Sequence, residues 1–128
     1  MEIKDGRQAV KAENRTVWRK WLENNHLTEK SVWLIIYHKK SSMPSIRQDE
    51  AVEEALCFGW IDSKAKSRDN ESFYVTFTPR NPRSGWSTIN KLRVKKLISN
   101  GLMTEYGMKL VELAIESGAW DFYANRKP

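Results

Sequence analysis

The run Val32-Trp33-Leu34-Ile35-Ile36-Tyr37 decides the fold. Its six residues are β-branched, aliphatic or aromatic and carry no charge, a composition that favours an extended strand. Polar residues do not alternate with the apolar ones, so the pattern predicts that both faces of the strand are buried. A polar loop that begins at His38 ends the run. We therefore expect a small sheet to be built around this strand, with residues 8–12 as a short first strand.

A helix is predicted ahead of the central strand. Asn14 is a suitable N-cap, and Trp18, Trp21 and Leu22 follow at the spacing of one helical face, so the helix is expected to run to about Asn25. Large aromatic side chains drive packing. The two tryptophans therefore indicate core anchors rather than a platform for a ligand.

A second helix is predicted from about Gln48 to Phe58, with an acidic first turn that complements the positive end of the helix dipole. Cys57 lies near its end, between apolar residues and with no basic residue close to it in sequence. Reactive thiols need an electropositive neighbourhood. We expect Cys57 to be buried and inert.

A hairpin is predicted from two strands, over residues 60–66 and 72–78, around a polar loop. In the second strand Phe73, Val75 and Phe77 alternate with polar residues or tyrosine, which predicts one apolar face. The opposite face is expected to carry Asp62, Lys64, Tyr74, Thr76 and Thr78.

The segment after the hairpin contains Pro79 and Pro82, which remove two backbone donors and exclude regular structure there. Ser84 is predicted to cap a helix over residues 85–99.

Thr104 is predicted to cap a last helix over residues 105–117, which Gly118 ends. The inward side chains are expected to be Tyr106, Leu110, Leu113 and Ala114. The aromatic residues that follow are expected to fold back onto the body: Trp120, Phe122 and Tyr123.

Together these segments predict an α+β fold, with one domain over residues 1–128, a small and mainly antiparallel sheet, and about four helices. One cysteine excludes an internal disulfide framework, and two histidines with one cysteine argue against a metal site. No run approaches the roughly 20 apolar residues of a membrane span, and the first residues lack the apolar segment of a signal peptide. We expect a cytoplasmic protein without a cofactor, and its oligomeric state stays open.

Positive charge is concentrated in one part of the chain. The net charge is +6, and residues 64–96 hold nine basic and two acidic residues, a net of +7. Such an excess costs self-repulsion, so it indicates an anionic partner, unless it is simply a solvated face that aids solubility.

The double-proline segment and the helix start after it form the candidate site for an anionic ligand bearing phosphate or carboxylate. Arg80 and Arg83 would supply charge and bidentate hydrogen bonds, and Trp86 would supply a flat wall. Ser87 and Asn90 would orient the ligand beside a helix N-terminus, whose free N–H groups suit anions. A binding protein without catalytic activity is the leading hypothesis.

Asn90 has a second interpretation, because it falls inside an apolar helical arc with Trp86, where a buried amide needs partners. It would then bond the backbone of the loop at residues 79–82. Asp62 also has two interpretations: an acid or base of an enzyme, or the counter-ion of a neighbouring arginine such as Arg80.

General nucleic-acid binding is the alternative from another class. It would use one basic surface made of Lys64, Lys66, Arg68, Lys91, Lys95 and Lys96.

With these segments in view, the sequence resembles the YdeI/OmpD-associated family, also called the bacteriocin-protection family, over roughly residues 14–120. Three blocks carry the resemblance: WRKWLENNH at 18–26, EEALCFGWIDS at 53–63, and FTPRNPRSGWS at 77–87, continuing to Asn90. The chain departs from the family at Asn81, where the family usually has Lys or Arg, so an anion-binding role falls on Arg80 and Arg83. The resemblance implies a link to bacteriocin protection or to an outer-membrane porin, and no defined reaction or cofactor.

Overall fold

A five-stranded sheet forms the centre of the structure, a computed structural model that describes residues 1–121. The strands are β1 (Glu2–Lys4), β2 (Arg7–Lys11), β3 (Val32–Tyr37), β4 (Trp60–Ser67) and β5 (Ser72–Pro79). The helices are α1 (Arg15–Asn25), α2 (Gln48–Leu56), α3 (Thr88–Ser99) and α4 (Glu105–Ser117), followed by a short 3-10 turn (Ala119–Asp121). The predicted α+β class, with four helices in one domain, is confirmed.

The strand order is β1-β2-β3-β5-β4, and every pair is antiparallel except β2 with β3. The connection from β2 to β3 runs through α1, as a parallel pair requires. β3 is the middle strand, and all six of its residues are buried. The unalternating apolar run therefore predicted both its place in the sheet and its burial correctly.

The four α-helices pack on one face of the sheet. Trp18 of α1 is fully buried there; its ring nitrogen donates to the Ala51 carbonyl at 3.0 Å, and its ring lies 5.0 Å from that of Phe77. Asn14 caps α1 by accepting from the Val17 amide at 3.1 Å. The prediction of a capped helix with Trp18 as a core anchor is confirmed.

The N-terminal hairpin was not predicted in full. Asp5 and Gly6 join β1 to β2 with positive φ angles of 52° and 76°. Two successive residues with positive φ form the tight turn that matches the twist of a two-stranded hairpin, and Asp-Gly is a preferred sequence for it. β1 completes the sheet beside β2.

The predicted faces of the 60–78 hairpin need a correction. Asp62 pairs with Phe77, whereas Ala65 pairs with Val75, so β4 has one more residue than β5 between these positions. This bulge reverses the alternation of β4. Asp62 consequently lies on the same face as Phe77 and the helices, and not on the face of Tyr74 as the plain alternation predicted.

The start of α3 also differs from the prediction. Ser87, and not Ser84, is the N-cap, and its hydroxyl accepts from the Asn90 amide at 3.2 Å. The preceding residues form no regular element, and the Trp86 amide donates to the Ala119 carbonyl at 3.3 Å. Three residues of the predicted helix are therefore loop.

α4 has the predicted bounds, with Thr104 as its N-cap and a left-handed Gly118 as its end. Its predicted inward face was partly wrong: the buried residues are Gly107, Val111 and Ala114, and Tyr106 and Leu113 are exposed. Gly107 lets α4 approach the end of α2, because a Cβ there would lie 2.5 Å from the Cys57 carbonyl oxygen.

Trp120 packs against Trp86 with ring centroids 5.0 Å apart, so its predicted return to the body is confirmed. The same prediction for Phe122 and Tyr123 falls outside the described residues.

Candidate functional site

The sheet has a second face, opposite the helices. Strand register places Ala9 beside Trp33, and Tyr74 beside Ile35, on this face, where they form their own buried cluster with Tyr37. The buried hydrophobic residues of all four α-helices belong to the other cluster. Within residues 1–121, this face is therefore helix-free.

Cationic side chains cover the aromatic rings of the helix-free face. Lys4 lies 5.7 Å from the centroid of Tyr74, and Lys11 lies 5.8 Å from that of Tyr37. Trp33 has two such neighbours, Arg7 at 5.9 Å and Lys66 at 5.8 Å. The aliphatic stems of these residues can shield the rings while their charged ends face water.

Arg68 completes this set on β4's side of the face. We call the five cations Lys4, Arg7, Lys11, Lys66 and Arg68, together with the rings beneath them, the basic sheet face. The rings themselves are 1–8% exposed. Its outermost groups are therefore charges, not aromatic surfaces.

Glu2 is held on the basic sheet face by three donors. Arg68 donates from Nε to Oε2 at 3.0 Å and from Nη2 to Oε1 at 2.8 Å, and the Tyr74 hydroxyl donates a short hydrogen bond to Oε2. These bonds, from Arg68 first and then from Tyr74, lower the pKa of Glu2 from 4.5 to about 2. The hydrogen bond to Glu2 also raises the pKa of Tyr74.

The two edges of the sheet approach each other over this face. β1 and β4 are the opposite edge strands. Yet two ion pairs connect them. Lys66 Nζ of β4 lies 3.1 Å from Asp5 Oδ2 at the tip of the first hairpin, and Arg68, just after β4, is paired with Glu2 of β1. Since three strands separate the edges in the sheet, these contacts require it to curl around Trp33 and Tyr74.

The sequence pattern missed three of the five cations. Lys4, Arg7 and Lys11 lie in residues 1–63, whose charges balance along the chain, so a count along the sequence hides them. The signal that could have found them is the Asp-Gly turn at residues 5–6, because the hairpin it predicts places alternate residues on one face.

The basic surface predicted for nucleic acid is divided by the fold. Lys66 and Arg68 lie on the helix-free face. In the strand register Lys66 stands opposite Tyr74, and the Arg68 side chain donates a hydrogen bond to Glu2. The lysines of α3 belong to the helix layer instead, and Lys91 lies 3.9 Å from Asp121. The fold therefore places Lys66 and Arg68 apart from the lysines of α3, and nucleic-acid binding by the predicted set of Lys64, Lys66, Arg68, Lys91, Lys95 and Lys96 stays a prediction.

In the double-proline segment, Arg80 and Trp86 are brought together inside the domain. The Arg80 guanidinium carbon lies 3.9 Å from the Trp86 ring centroid, and its Nη2 donates to the Gly85 carbonyl at 2.7 Å. The Arg80 amide donates to the Gly59 carbonyl at 2.8 Å. Arg80 and Trp86 are only 8% and 3% exposed. The two side chains therefore stabilise the loop, and Trp86 does not present the exposed flat surface expected for a ligand.

The other three residues predicted for this site have contacts of their own. Arg83 is exposed on a cleft of about 380 Å³ that is also lined by residues 117–119. Ser87 serves as the cap of α3. The side-chain oxygen of Asn90 accepts a hydrogen bond from Arg93 Nη1 at 2.8 Å. This bond lies within α3, whereas the second interpretation placed it on the backbone of the loop at residues 79–82.

Asp62 is half-buried at the start of β4 and accepts a hydrogen bond from Gln48 Nε2 at 3.4 Å. Its role as an acid or base stays a prediction.

A cleft of about 430 Å³ lies between α1, α2 and α3 and is lined by a compensated ion-pair network. Arg15 donates to Glu53 at 2.7 Å and to Glu54 at 3.0 Å, and Arg19 donates to Glu54 at 3.0 Å. Although burial opposes it, these bonds raise the pKa of Arg15. The carboxylates neutralise both arginines, which indicates a role in joining α1 to α2.

Cys57 lies close to this network. Burial raises the pKa of its thiol, and the nearby Arg19 only partly offsets the effect. The predicted burial is confirmed, and the raised pKa fits an unreactive thiol.

A family model described as a domain of unknown function, DUF8412, matches residues 10–110. The chain belongs to the DUF8412 family. The match contains β3, the 60–79 hairpin and α3, and so most of both faces of the sheet. Neither a curated protein nor a solved structure matches the DUF8412 chain.

Residues 1–121 of the DUF8412 chain offer neither a membrane-spanning helix nor a metal site. None of the helices there has the length and apolar character to cross a bilayer. No group of three or more His, Cys, Asp or Glu side chains in that range is placed to hold a metal ion.

Proposed function

We propose that this domain is a non-enzymatic binding protein that holds the phosphate backbone of a nucleic acid on the basic sheet face. The observation that carries the proposal is that five cations gather on this face against three carboxylates, those of Glu2, Asp5 and Asp69. Phosphates are bound through such concentrations of Lys and Arg, with release of counterions.

Arg7 and Lys11 are the cations best suited to meet phosphates. Both lie over aromatic rings, and within residues 1–121 no carboxylate lies within 4 Å of their nitrogen atoms. Lys66 and Arg68, by contrast, already have carboxylate partners. The first contact of an incoming backbone would therefore fall on β2.

The buried rings also limit how a nucleic acid would be read. Base stacking needs exposed aromatic faces, whereas Trp33, Tyr37 and Tyr74 are at most 8% exposed. Phosphate contacts position a nucleic acid and carry no sequence information. We expect binding that depends strongly on salt and weakly on sequence.

The test is fluorescence anisotropy of the whole chain with labelled single-stranded DNA and RNA, repeated at increasing salt. The double variant Arg7→Gln/Lys11→Gln should bind more weakly, and the slope of log K against log salt should fall by about 0.7 for each lost contact with a single strand. The matched control, Lys91→Gln/Lys95→Gln, removes two cations from α3 and should leave both quantities nearly unchanged. Equal losses in the two variants, or no binding by the native chain at low salt, would contradict the proposal.

A second candidate keeps the anionic ligand near the start of α3. It is favoured by the exposed Arg83 on its cleft of about 380 Å³ and by the lack of an acidic residue in the first turn of α3. The test is thermal stabilisation by inorganic phosphate, which Arg83→Gln should abolish. Arg80 is left unchanged because its loss would disturb the loop itself. A shift that persists in Arg83→Gln would exclude the cleft.

We also retain, as a proposal, the relation to the YdeI/OmpD-associated family and a protective role in the cytoplasm. It is supported by the three sequence blocks alone. Expression of the chain in a bacteriocin-sensitive strain should raise survival, and unchanged survival would remove this role.

A further inference from the structure

The carboxylate of Glu2 is held by the kind of contacts with which proteins bind an anionic ligand. A bidentate arginine and a phenol hydroxyl converge on its two oxygens. The same fork of donors fits a carboxylate or a phosphate equally well. Glu2 itself is carried by the three-residue edge strand β1, which within residues 1–121 pairs with β2 alone.

The donors are fixed by contacts that do not involve Glu2. Arg68 Nη1 donates to the Ser72 hydroxyl at 3.0 Å and to Asp69 at 3.2 Å. Tyr74 lies in β5, next to the central strand, where its ring packs against Trp33 at a centroid distance of 5.7 Å. The two donors are thus held by the body of the sheet, and we expect them to keep their arrangement if β1 moves away.

We propose that Arg68 and Tyr74 form an anion site for a phosphate group, and that Glu2 occupies this site as an internal competitor. The inference deepens the proposed function and rests on it for the source of the phosphate, a nucleic-acid backbone. β1 then acts as a removable cover, and Glu2 takes the place that a phosphate has in the bound state.

Competition of this kind weakens the apparent affinity of the native chain. A ligand that binds only when β1 is lifted has its affinity reduced by the fraction of molecules that are open. Acid does not free the site in the physiological range, because the pKa of Glu2 is lowered to about 2. A competing anion, or the loss of the Glu2 charge, is what opens it.

The test compares Glu2→Gln with Glu13→Gln, an exposed glutamate beyond the end of β2, so that both variants gain the same charge. Binding of inorganic phosphate is followed by thermal shift, and binding of a labelled single strand by anisotropy. We expect Glu2→Gln to bind phosphate at least about tenfold more tightly than Glu13→Gln, the factor that 1.4 kcal/mol represents. Adding Tyr74→Phe to Glu2→Gln, which removes one donor and keeps the ring, should reverse part of this gain.

The outcomes separate this inference from the proposed function. If native chain binds the strand and Glu2→Gln binds neither probe more tightly than Glu13→Gln does, the inference is overturned and the proposed function stands. If native chain does not bind the strand but Glu2→Gln binds phosphate, the site is supported and the proposed function of the native chain fails. A gain for phosphate without a gain for the strand supports the site and assigns it to a free phosphate. A gain that Tyr74→Phe leaves intact contradicts the site.

Discussion

The guanidinium carbon of Arg80 lies 3.9 Å from the Trp86 ring centroid, while Nη2 donates to the Gly85 carbonyl. A planar cation on an aromatic face, with a hydrogen bond at its edge, is an arrangement that arginine makes and lysine does not. The side chain that the sequence assigned to a ligand thus fastens the loop between β5 and α3.

Arg80→Lys should therefore destabilise the domain by about 1 to 3 kcal/mol, because the stack and the hydrogen bond to Gly85 are both lost. Urea unfolding measures the change. Arg83→Lys, at an exposed position of the same loop, is the control and should stay within about 0.5 kcal/mol. Similar effects of the two substitutions would show that the stack contributes little.

Glu54→Gln should cost about 2 kcal/mol. The Glu54 side chain is 5% exposed and accepts hydrogen bonds from both Arg15 and Arg19. The substitution therefore removes one anionic partner from each of the two arginines. Thermal unfolding measures the loss. Glu23→Gln, which removes an exposed contact of 3.9 Å to Arg19, should be almost neutral. A neutral Glu54→Gln would mean that solvent already compensates the arginines.

Gly107→Ala should destabilise by about 2 to 3 kcal/mol, because the added methyl would meet the Cys57 and Leu56 carbonyls at 2.5 and 2.6 Å. Gly101→Ala separates steric contact from backbone strain: its φ is +69°, with nothing within 4 Å of the added atom, and it should cost about 1 kcal/mol. Chemical denaturation compares the two. A smaller loss at Gly107 than at Gly101 would refute the close approach of α4 to α2.

The native chain should lose stability as the pH is lowered, over a range set by the pKa of Glu2. Its pKa is lowered from 4.5 to about 2 on folding, so its contribution is complete above pH 4.5 and declines as the pH falls toward 2. The difference in unfolding free energy between native chain and Glu2→Gln should therefore be larger at pH 6 than at pH 3. Asp5 and Asp69, whose pKa values are also lowered, act in the same direction in both proteins. A difference independent of pH would show that the charge of Glu2 is not involved.

The sequence predicted elements whose signals are local. The apolar run at 32–37 and the caps Asn14 and Thr104 act over a few residues, and all three were placed correctly. The bulge near Asp62 was not predicted, because it arises from the pairing register, in which two residues of β4 between Asp62 and Ala65 lie opposite one residue of β5. The polar and apolar alternation of one strand does not show how many residues of its partner lie opposite it.

The candidate site was harder to predict for a related reason. Arg80 is charged and follows a proline, which resembles an exposed binding residue, and its burial depends on Trp86 and Gly59 reaching it from elsewhere. Lys4 and Lys66 are more than sixty positions apart, and strand order and register place them on one face, where the curl of the sheet brings them close together. Contacts of this range follow from topology, which the alternation of single strands does not contain.

The approach of β1 to β4 has a consequence for solubility. Exposed strand edges present unpaired N–H and C=O groups that can recruit another molecule and begin aggregation. Here the ion pairs of Asp5 with Lys66 and of Glu2 with Arg68 draw both edges inward and surround them with charge. A chain shortened by β1 would present the longer, bare ladder of β2 to its neighbours, and should assemble into intermolecular sheets under conditions in which the intact chain remains dispersed.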